Sequence, residues 1–507
     1  MCVFDRLFHQ YIFINGVIYL NCVDFSTNKL FILEQLIGRT TEIEILKSAL
    51  NSNKSEMVSV IGRRRVGKTF LISQVYARQI VFSVTGIQAA PLEDQLENFT
   101  YNIEQFSKAA LPAQSPKTWL RAFMLLIEYL ETVDFSKKRV VFLDELPWLS
   151  THKSGFLRGL SFFWNSWAVN KNIVVVICGS SASWMIKKVV HHRGGLHNRI
   201  TKRIYLAPFT LSETEAYLKH RNLHFTRYHI VQMYMAFGGI PHYLEAIKQG
   251  ESATQNINRI CFSKNGLLRD EFLKLYPSLF SNADHHILVI RALAGKRLGM
   301  TRKEIINATK LSAGGSLQRV LEELEQSGFI KAYRSFGKKK KEKNFRLIDE
   351  YSLFYLQFIE NNPYEGDDTW NHLSQTPSYT SWSGYSFEGI CMKHLPQIKK
   401  VLGISGIYSV SASFLKRGTD TEKGTQIDLV LDRKDQVINL FEIKFSNKLY
   451  SISKTYFENL SNKINVFETS TKTKKQLFLV FITPFGLLEN QYSSAIVAKS
   501  LTLDDLF

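Results

Sequence analysis

Apolar and polar positions change their rhythm several times along the chain. Residues 1–35 are rich in aromatic residues and interrupted by Asn15, Gly16 and Asn21; an added strand, a short extension or a misassigned start all fit, and no function is assigned to them. From residue 37 the pattern is that of an α/β layer: a helical stretch over 41–50, an apolar strand over 57–61, then a Gly-rich turn opening a helix through Phe70 and Ile72. Two further apolar runs, 139–143 and 173–178, each end in polar residues. This is the rhythm of buried parallel strands with helices on both faces.

Beyond residue 206 the pattern is mainly helical to about 282, broken at Gly238-Gly239-Ile240-Pro241, which predicts a helical lid. Thr301 and Glu304 then stand at capping-box spacing at the head of a helix over 301–310, a turn follows at 312–315, and another helix runs over 317–327. Strand-like runs at 329–336 and 344–347 flank a lysine run. Residues 283–360 therefore read as a winged helix whose wing tip is Lys338 to Lys343. From about 381 to 507 the α/β pattern returns, with a helix near Phe387 and two strands in a hairpin. The expected order is an extension (1–35), an α/β core (36–205), a helical lid (206–282), a winged helix (283–360) and a terminal α/β domain (381–507).

Composition adds bounds. At 507 residues, 45% hydrophobic and 21% charged, the chain exceeds one hydrophobic core and is not globally disordered. No apolar run reaches the length of a membrane-spanning helix, and no small-residue cleavage site follows the apolar stretch at 11–23. The five cysteines, Cys2, Cys22, Cys178, Cys261 and Cys391, form neither a CxxC pair nor a metal-ligand spacing, so a cytoplasmic protein is expected. The formal charge of +19 points to polyanionic partners, and much of it is local: Lys331 to Arg346 holds eight basic residues and one acidic. Such a wing could rest on DNA phosphates without reading sequence, and it fits a solvated loop equally well. The helix before it carries Glu322, Glu323 and Glu325, with only Gln318 and Arg319 near its start, which disfavours base readout. The adjacent pairs His191-His192 and His285-His286 diverge on a helix and make poor joint metal ligands.

Two constellations carry chemistry. Gly62-Arg63-Arg64-Arg65-Val66-Gly67-Lys68-Thr69 fits GxxxxGK[ST], directly after an apolar strand and directly before a helix. In that context the loop N–H groups face phosphates, Lys68 reaches the β/γ oxygens and the Thr69 hydroxyl ligates Mg²⁺, so ATP and Mg²⁺ are the expected ligands. A second strand ends in Asp144 and Glu145, the first suited to holding Mg²⁺ through water and the second to polarising an attacking water. At the end of the third, Ser180 or Ser181 could sense the γ-phosphate or serve as an N-cap.

With these motifs in place, residues 36–360 resemble the prokaryotic and archaeal ATPase family related to the STAND branch of AAA+ P-loop proteins. Ile37-Gly38-Arg39 with Glu42 looks like that family's box beside the nucleotide base, Pro208-Phe209-Thr210 like its linker into the lid, and Gly239-Ile240-Pro241 like its lid GxP element. The resemblance implies an ATPase in which Gly38, Arg39 and Pro241 join the phosphate loop in binding nucleotide, and leaves homo-oligomers open. It also implies a γ-phosphate-sensing arginine at Arg199, which taken alone reads equally as a solvated loop cation.

The second constellation lies near the carboxy terminus. Ile427-Asp428-Leu429-Val430-Leu431 alternates like a strand, and a following strand bears Glu442-Ile443-Lys444. Glu442 and Lys444 share a face, Asp428 can meet them across a hairpin, and an upstream helix contributes Glu388. Two or three carboxylates can hold one or two Mg²⁺ ions on a scissile phosphate while the lysine orients or activates water. Residues 381–483 thus resemble the PD-(D/E)XK nuclease superfamily, with Ile427 where a proline often precedes the acid. The resemblance implies a restriction-endonuclease-like fold, catalytic roles for Asp428, Glu442 and Lys444, and metal ligation by Glu388, Asp428 and Glu442. Two functions follow: an ATPase whose nucleotide state controls a metal-dependent DNA nuclease, or a STAND-type signalling switch with a non-cleaving sensor or scaffold at its end. An ATP-gated toxin or defence effector is not separable from repair by these residues.

Overall fold

The computed structural model describes the backbone of residues 9–14, 17–24 and 29–32, and in full residues 36–107, 115–190, 196, 198–280, 282–296, 298–337, 343–362, 368–418 and 424–507. Two compact units emerge, one of residues 1–60, 67–178 and 192–204, the other of 61–66, 179–191 and 205–507. In the extension, β1 (His9–Ile14), β2 (Val17–Asp24) and β3 (Lys29–Ile32) form an antiparallel meander. The sequence pattern allowed one strand here; the structure has three.

The α/β layer is a five-stranded parallel sheet of β4 (Glu56–Ile61), β5 (Ile80–Thr85), β6 (Arg139–Asp144), β7 (Ile173–Gly179) and β8 (Lys202–Tyr205), in the order β5-β6-β7-β4-β8. β4 and β7 are buried at every position and β6 at all but its first, which is why they read as unbroken apolar runs. β5 and β8 flank the sheet, with exposed or half-buried positions that dilute their signal. Because parallel strands end on one edge, this order brings the turn after β4 and the acids closing β6 to the same end of the sheet. One flank is an aromatic layer on the helices Leu92–Ser107, Trp119–Leu130 and Phe156–Ser166, where Trp119 meets Phe156 edge-on at 4.7 Å.

In the second unit, the two family-like lid elements meet. The Phe209 N–H donates to the Gly239 carbonyl at 2.6 Å, and the Tyr234 hydroxyl donates to the Phe209 carbonyl at 2.7 Å. Thr210 caps the next helix, Leu211–His220, in a capping box with Glu213. Residues 283–360 hold the helices Ala283–Ala294, Arg302–Thr309 and Gly315–Gln326, with β9 (Met300–Thr301), β10 (Ile330–Arg334) and β11 (Lys343–Leu347) in the order β10-β11-β9. Of the three glutamates on the third helix, Glu323 turns inward to His286 and Arg319. The wing tip, 338–342, lies outside the described residues.

The terminal sheet runs β12 (Ser409–Lys416), β13 (Thr425–Arg433), β14 (Val437–Ile443), β15 (Gln476–Ile482) and β16 (Val497–Leu501) in chain order, antiparallel from β12 to β14 and parallel from β14 to β16. The helix Pro377–Lys393 precedes it and the helix Lys454–Thr471 crosses between β14 and β15, packing Leu460 and Phe467 onto the sheet. The chain leaving β10 runs onto β12: Phe336 N–H donates to the Ser413 carbonyl at 2.7 Å and its ring meets Phe467 at 5.0 Å. Cys178, Cys261 and Cys391 are buried free thiols. No helix among the described residues is long and apolar enough to cross a membrane.

A Cβ on Gly239 would stand 2.0 Å from the Phe209 carbonyl oxygen, so no side chain fits without parting the two segments. Gly239→Ala is expected to lose on the order of 2–3 kcal/mol of stability. Thermal denaturation checks this; an unchanged midpoint would contradict the close approach.

Candidate active site

The phosphate loop begins where buried β4 ends. Gly62 runs so close to the Leu206 carbonyl that a Cβ would lie 2.5 Å from it. Arg65 and Gly67 both take positive φ, 69° and 87°, which curls the backbone just ahead of the helix Lys68–Val75. That curl and the helix N-terminus make an anion cradle of backbone N–H groups. Lys68 is buried. The Thr69 hydroxyl donates to Asp144 Oδ2 at 2.7 Å, and Asp144, 2% exposed, also accepts the Glu145 N–H on Oδ1 at 2.9 Å. A hydroxyl and a carboxylate already in register are the donor set a Mg²⁺ ion with bound phosphates requires, so these residues fit that ion. Glu145 follows in a left-handed conformation, φ 46°, at the head of a one-turn helix. Beside them burial pushes the Cys178 thiol well up, with the Asp144 charge adding to it, so it stays protonated and unreactive.

The loop's arginines have partners that no motif announces. Arg63 is 4% exposed, ion-paired to Asp349 and stacked over Phe329 at 4.8 Å. Arg65 pairs with Glu271 at 3.0 Å and lies 5.8 Å over the Tyr243 ring, whose hydroxyl donates to the same Glu271 at 2.9 Å. The remaining expected residues are distributed as follows. Gly38 and Arg39 both have positive φ ahead of the helix Thr40–Leu50, with Arg39 buried. Pro241 is the first residue of the short helix Pro241–Leu244. Arg199 is exposed in a turn, its N–H on the Leu196 carbonyl, while most of 191–197 lies outside the described residues. Ser180 is buried and Ser181 precedes the helix Ala182–Met185 without capping it through its side chain.

In the terminal domain, the β13–β14 register sets Leu429 opposite Phe441, which puts Asp428 across from Glu442 at the strand ends. The helix Pro377–Lys393 adds Glu388. Burial and the Asp428 charge push the Glu388 carboxyl up to about 7, against the opposing pull of Arg346 and Lys444. Arg346, from β11, reaches Glu388 at 3.3 Å and lies 4.5 Å over the Tyr385 ring. Glu442 is in a different state. Burial would raise it, but Lys463, Lys444 and the Tyr456 hydroxyl outweigh that and hold it below the usual carboxylate range. Lys463 sits at 2.7 Å from one oxygen, and Tyr456 (2.5 Å) and Lys444 (3.0 Å) share the other. With both oxygens of Glu442 engaged, Glu388, Asp428 and Glu442 do not assemble a three-carboxylate metal site. Among the described residues no group of three His, Cys, Asp or Glu is placed to hold a metal ion. Lys463 went unnoticed in the sequence, although its spacing of seven from Tyr456 on one helix sets the two on one face.

Residues 36–247 match the model of a family described as an ATPase domain predominantly from Archaea. An uncharacterized protein of Methanocaldococcus jannaschii is 24% identical over 422 residues, covering 81% of this chain and 88% of its own. Among solved structures, a Walker-type ATPase of Pyrococcus abyssi aligns with TM-score 0.47 and 17% identity over 63% of this chain and 96% of its own. The ORC2 protein of Aeropyrum pernix aligns with TM-score 0.39 and 17% identity over 64% and 93%. The matched segment contains the loop 62–69 and the acids Asp144 and Glu145.

Glu388 titrates near neutrality rather than near its ordinary 4.5, so the fold favours its protonated form; that stabilisation is full below about pH 4.5 and is lost as pH rises to about 7. Glu388→Gln keeps the neutral form at every pH. Between pH 5 and pH 8 the difference in melting temperature should therefore move in favour of the variant. A pH-independent difference would mean that Glu388 titrates normally.

Proposed function

We propose that the protein binds and hydrolyses ATP with Mg²⁺ at the loop 62–69, and that nucleotide state controls its terminal domain, a nuclease-like module acting on DNA in the cytoplasm. The observation that carries the first half is the Thr69–Asp144 hydrogen bond beneath the curled loop. Thr69 and Asp144 would hold Mg²⁺, which would supply charge to offset the phosphates. Lys68 supplies a fixed cation beside the phosphate oxygens, the loop N–H groups hold them, and Glu145 orients the attacking water. Gly38, Arg39 and Pro241 are assigned to the nucleotide and Arg199 to its γ-phosphate.

The nuclease-like reading draws support from strand and helix order. A helix bearing Glu388 precedes antiparallel strands bearing Asp428 and Glu442, the order expected from the sequence pattern. Lys444, held as a cation chiefly by Glu442 against its burial, stands where the ExK lysine is expected. The lysines at 338–343 would carry the DNA backbone contact. Among the described residues no three acids are placed to hold a metal ion, so this reading rests on the order of elements. The engagement of Glu442 by Lys444, Lys463 and Tyr456 favours a second reading, in which the terminal domain is a non-cleaving sensor or scaffold of a STAND-type switch.

Lys68→Ala should abolish binding of a fluorescent ATP analogue, and Glu145→Gln should retain binding while losing hydrolysis by about 100-fold or more. Preserved affinity in Lys68→Ala would overturn the ATP half. The nuclease-like reading requires DNA nicking with Mg²⁺ or Mn²⁺, with or without ATP, in the wild type and its loss in Asp428→Ala and Lys444→Ala. DNA left intact under all conditions would favour the sensor reading.

A further inference from the structure

Residues 346–350 form a buried segment that touches two sites at once. Arg346, 7% exposed, holds Glu388. Three residues on, Asp349, 3% exposed, holds Arg63 of the phosphate loop with Oδ1, while its Oδ2 accepts the Ser352 N–H at 2.9 Å and hydroxyl at 2.6 Å, capping the helix Glu350–Phe354. Glu350 accepts from Lys393 at 2.6 and 2.7 Å, and Lys393 closes the helix that carries Glu388. Its carboxylate also faces Gly238, where a Cβ would lie 3.1 Å from Oε2. His394, next along, accepts the Leu211 N–H on Nε2 at 3.0 Å and bonds the Ile390 carbonyl through Nδ1.

Three residues of chain span at most roughly 10 Å, too short to absorb a shift at one end without passing it to the other. The contacts at both ends are charged and buried, so each has few alternative partners. We propose that segment 346–350 is a coupling element, in which Asp349 is a positioning residue for the phosphate loop through Arg63 and Arg346 a positioning residue for the terminal cluster through Glu388. A loop reshaped by bound phosphate moves the carboxylate that grips it, and with it the arginine at the cluster. By linkage the effect is reciprocal: whatever reorders Glu388 changes nucleotide affinity. The inference rests on the ATP reading of the loop and is independent of whether the terminal domain cleaves DNA.

The test is hydrogen–deuterium exchange of the full chain with and without ATP and Mg²⁺, beside titration with a fluorescent ATP analogue. In the wild type, nucleotide should alter exchange about fivefold or more in peptides spanning 343–350 and 382–394. In Asp349→Asn the analogue should still bind and the change at 382–394 should disappear. Should that variant fold poorly around an unpaired Arg63, the double variant Arg346→Leu with Glu388→Gln removes the other charged contact without touching the loop and should give the same uncoupling. Nucleotide binding that leaves 382–394 unaltered in the wild type, or a full response in the double variant, overturns the coupling element. Absence of nucleotide binding in the wild type removes the ATP reading and the coupling with it.

Discussion

A guanidinium 4% exposed must have a carboxylate beside it, and for Arg63 that carboxylate is Asp349, 286 residues away. Removing one partner of such a pair costs about 3–5 kcal/mol because the other charge is left stranded. Much of the second unit's order follows from meeting that demand. Asp349 can face Arg63 only if the segment around it is fixed, and it is fixed by capping its own helix, by Glu350 on Lys393 and by Arg346 on Glu388. The ring of Phe329 closes over the guanidinium and leaves it little room to turn elsewhere. An apolar pair of similar volume could be as stable.

How much of this was legible follows from what each feature asks of the sequence. The loop 62–69, Asp144 and the three apolar strands are contiguous, so motif and periodicity located them within a residue or two. β5 and β8 were not read, because edge strands with half-buried faces carry a diluted apolar pattern. The capping box at Thr301 and the GxP element were visible as local spacings; the Gly239–Phe209 contact needed the fold. The Arg63–Asp349 pair has no local signature at all. Three consecutive arginines look like one charge patch, and nothing in their order says that one is buried against a distant helix cap.

The terminal cluster shows the same limit from the other side. Asp428, Glu388, Glu442 and Lys444 were nameable from strand alternation and spacing, but their charge states were not. Two glutamates in one cluster, Glu442 buried and Glu388 half-buried, are driven in opposite directions, one toward ionisation and one toward neutrality, by burial and by which charges reach them. Those cations come from outside the recognised pattern: Arg346 from β11 and Lys463 from the crossing helix.

The cluster's net charge has a consequence for any nucleic-acid partner. Glu388, Asp428 and Glu442 are met by Arg346, Lys444 and Lys463, so acids and cations are nearly balanced where a phosphate would have to sit. A balanced site attracts a polyanion weakly, and affinity must come from charge placed elsewhere. The basic run from Lys331 to Arg346 is such a reserve, and it ends at the arginine that holds Glu388. Loss of Arg346 from Glu388 would leave the carboxyl beside Asp428 without its nearest cation and favour its protonated form further.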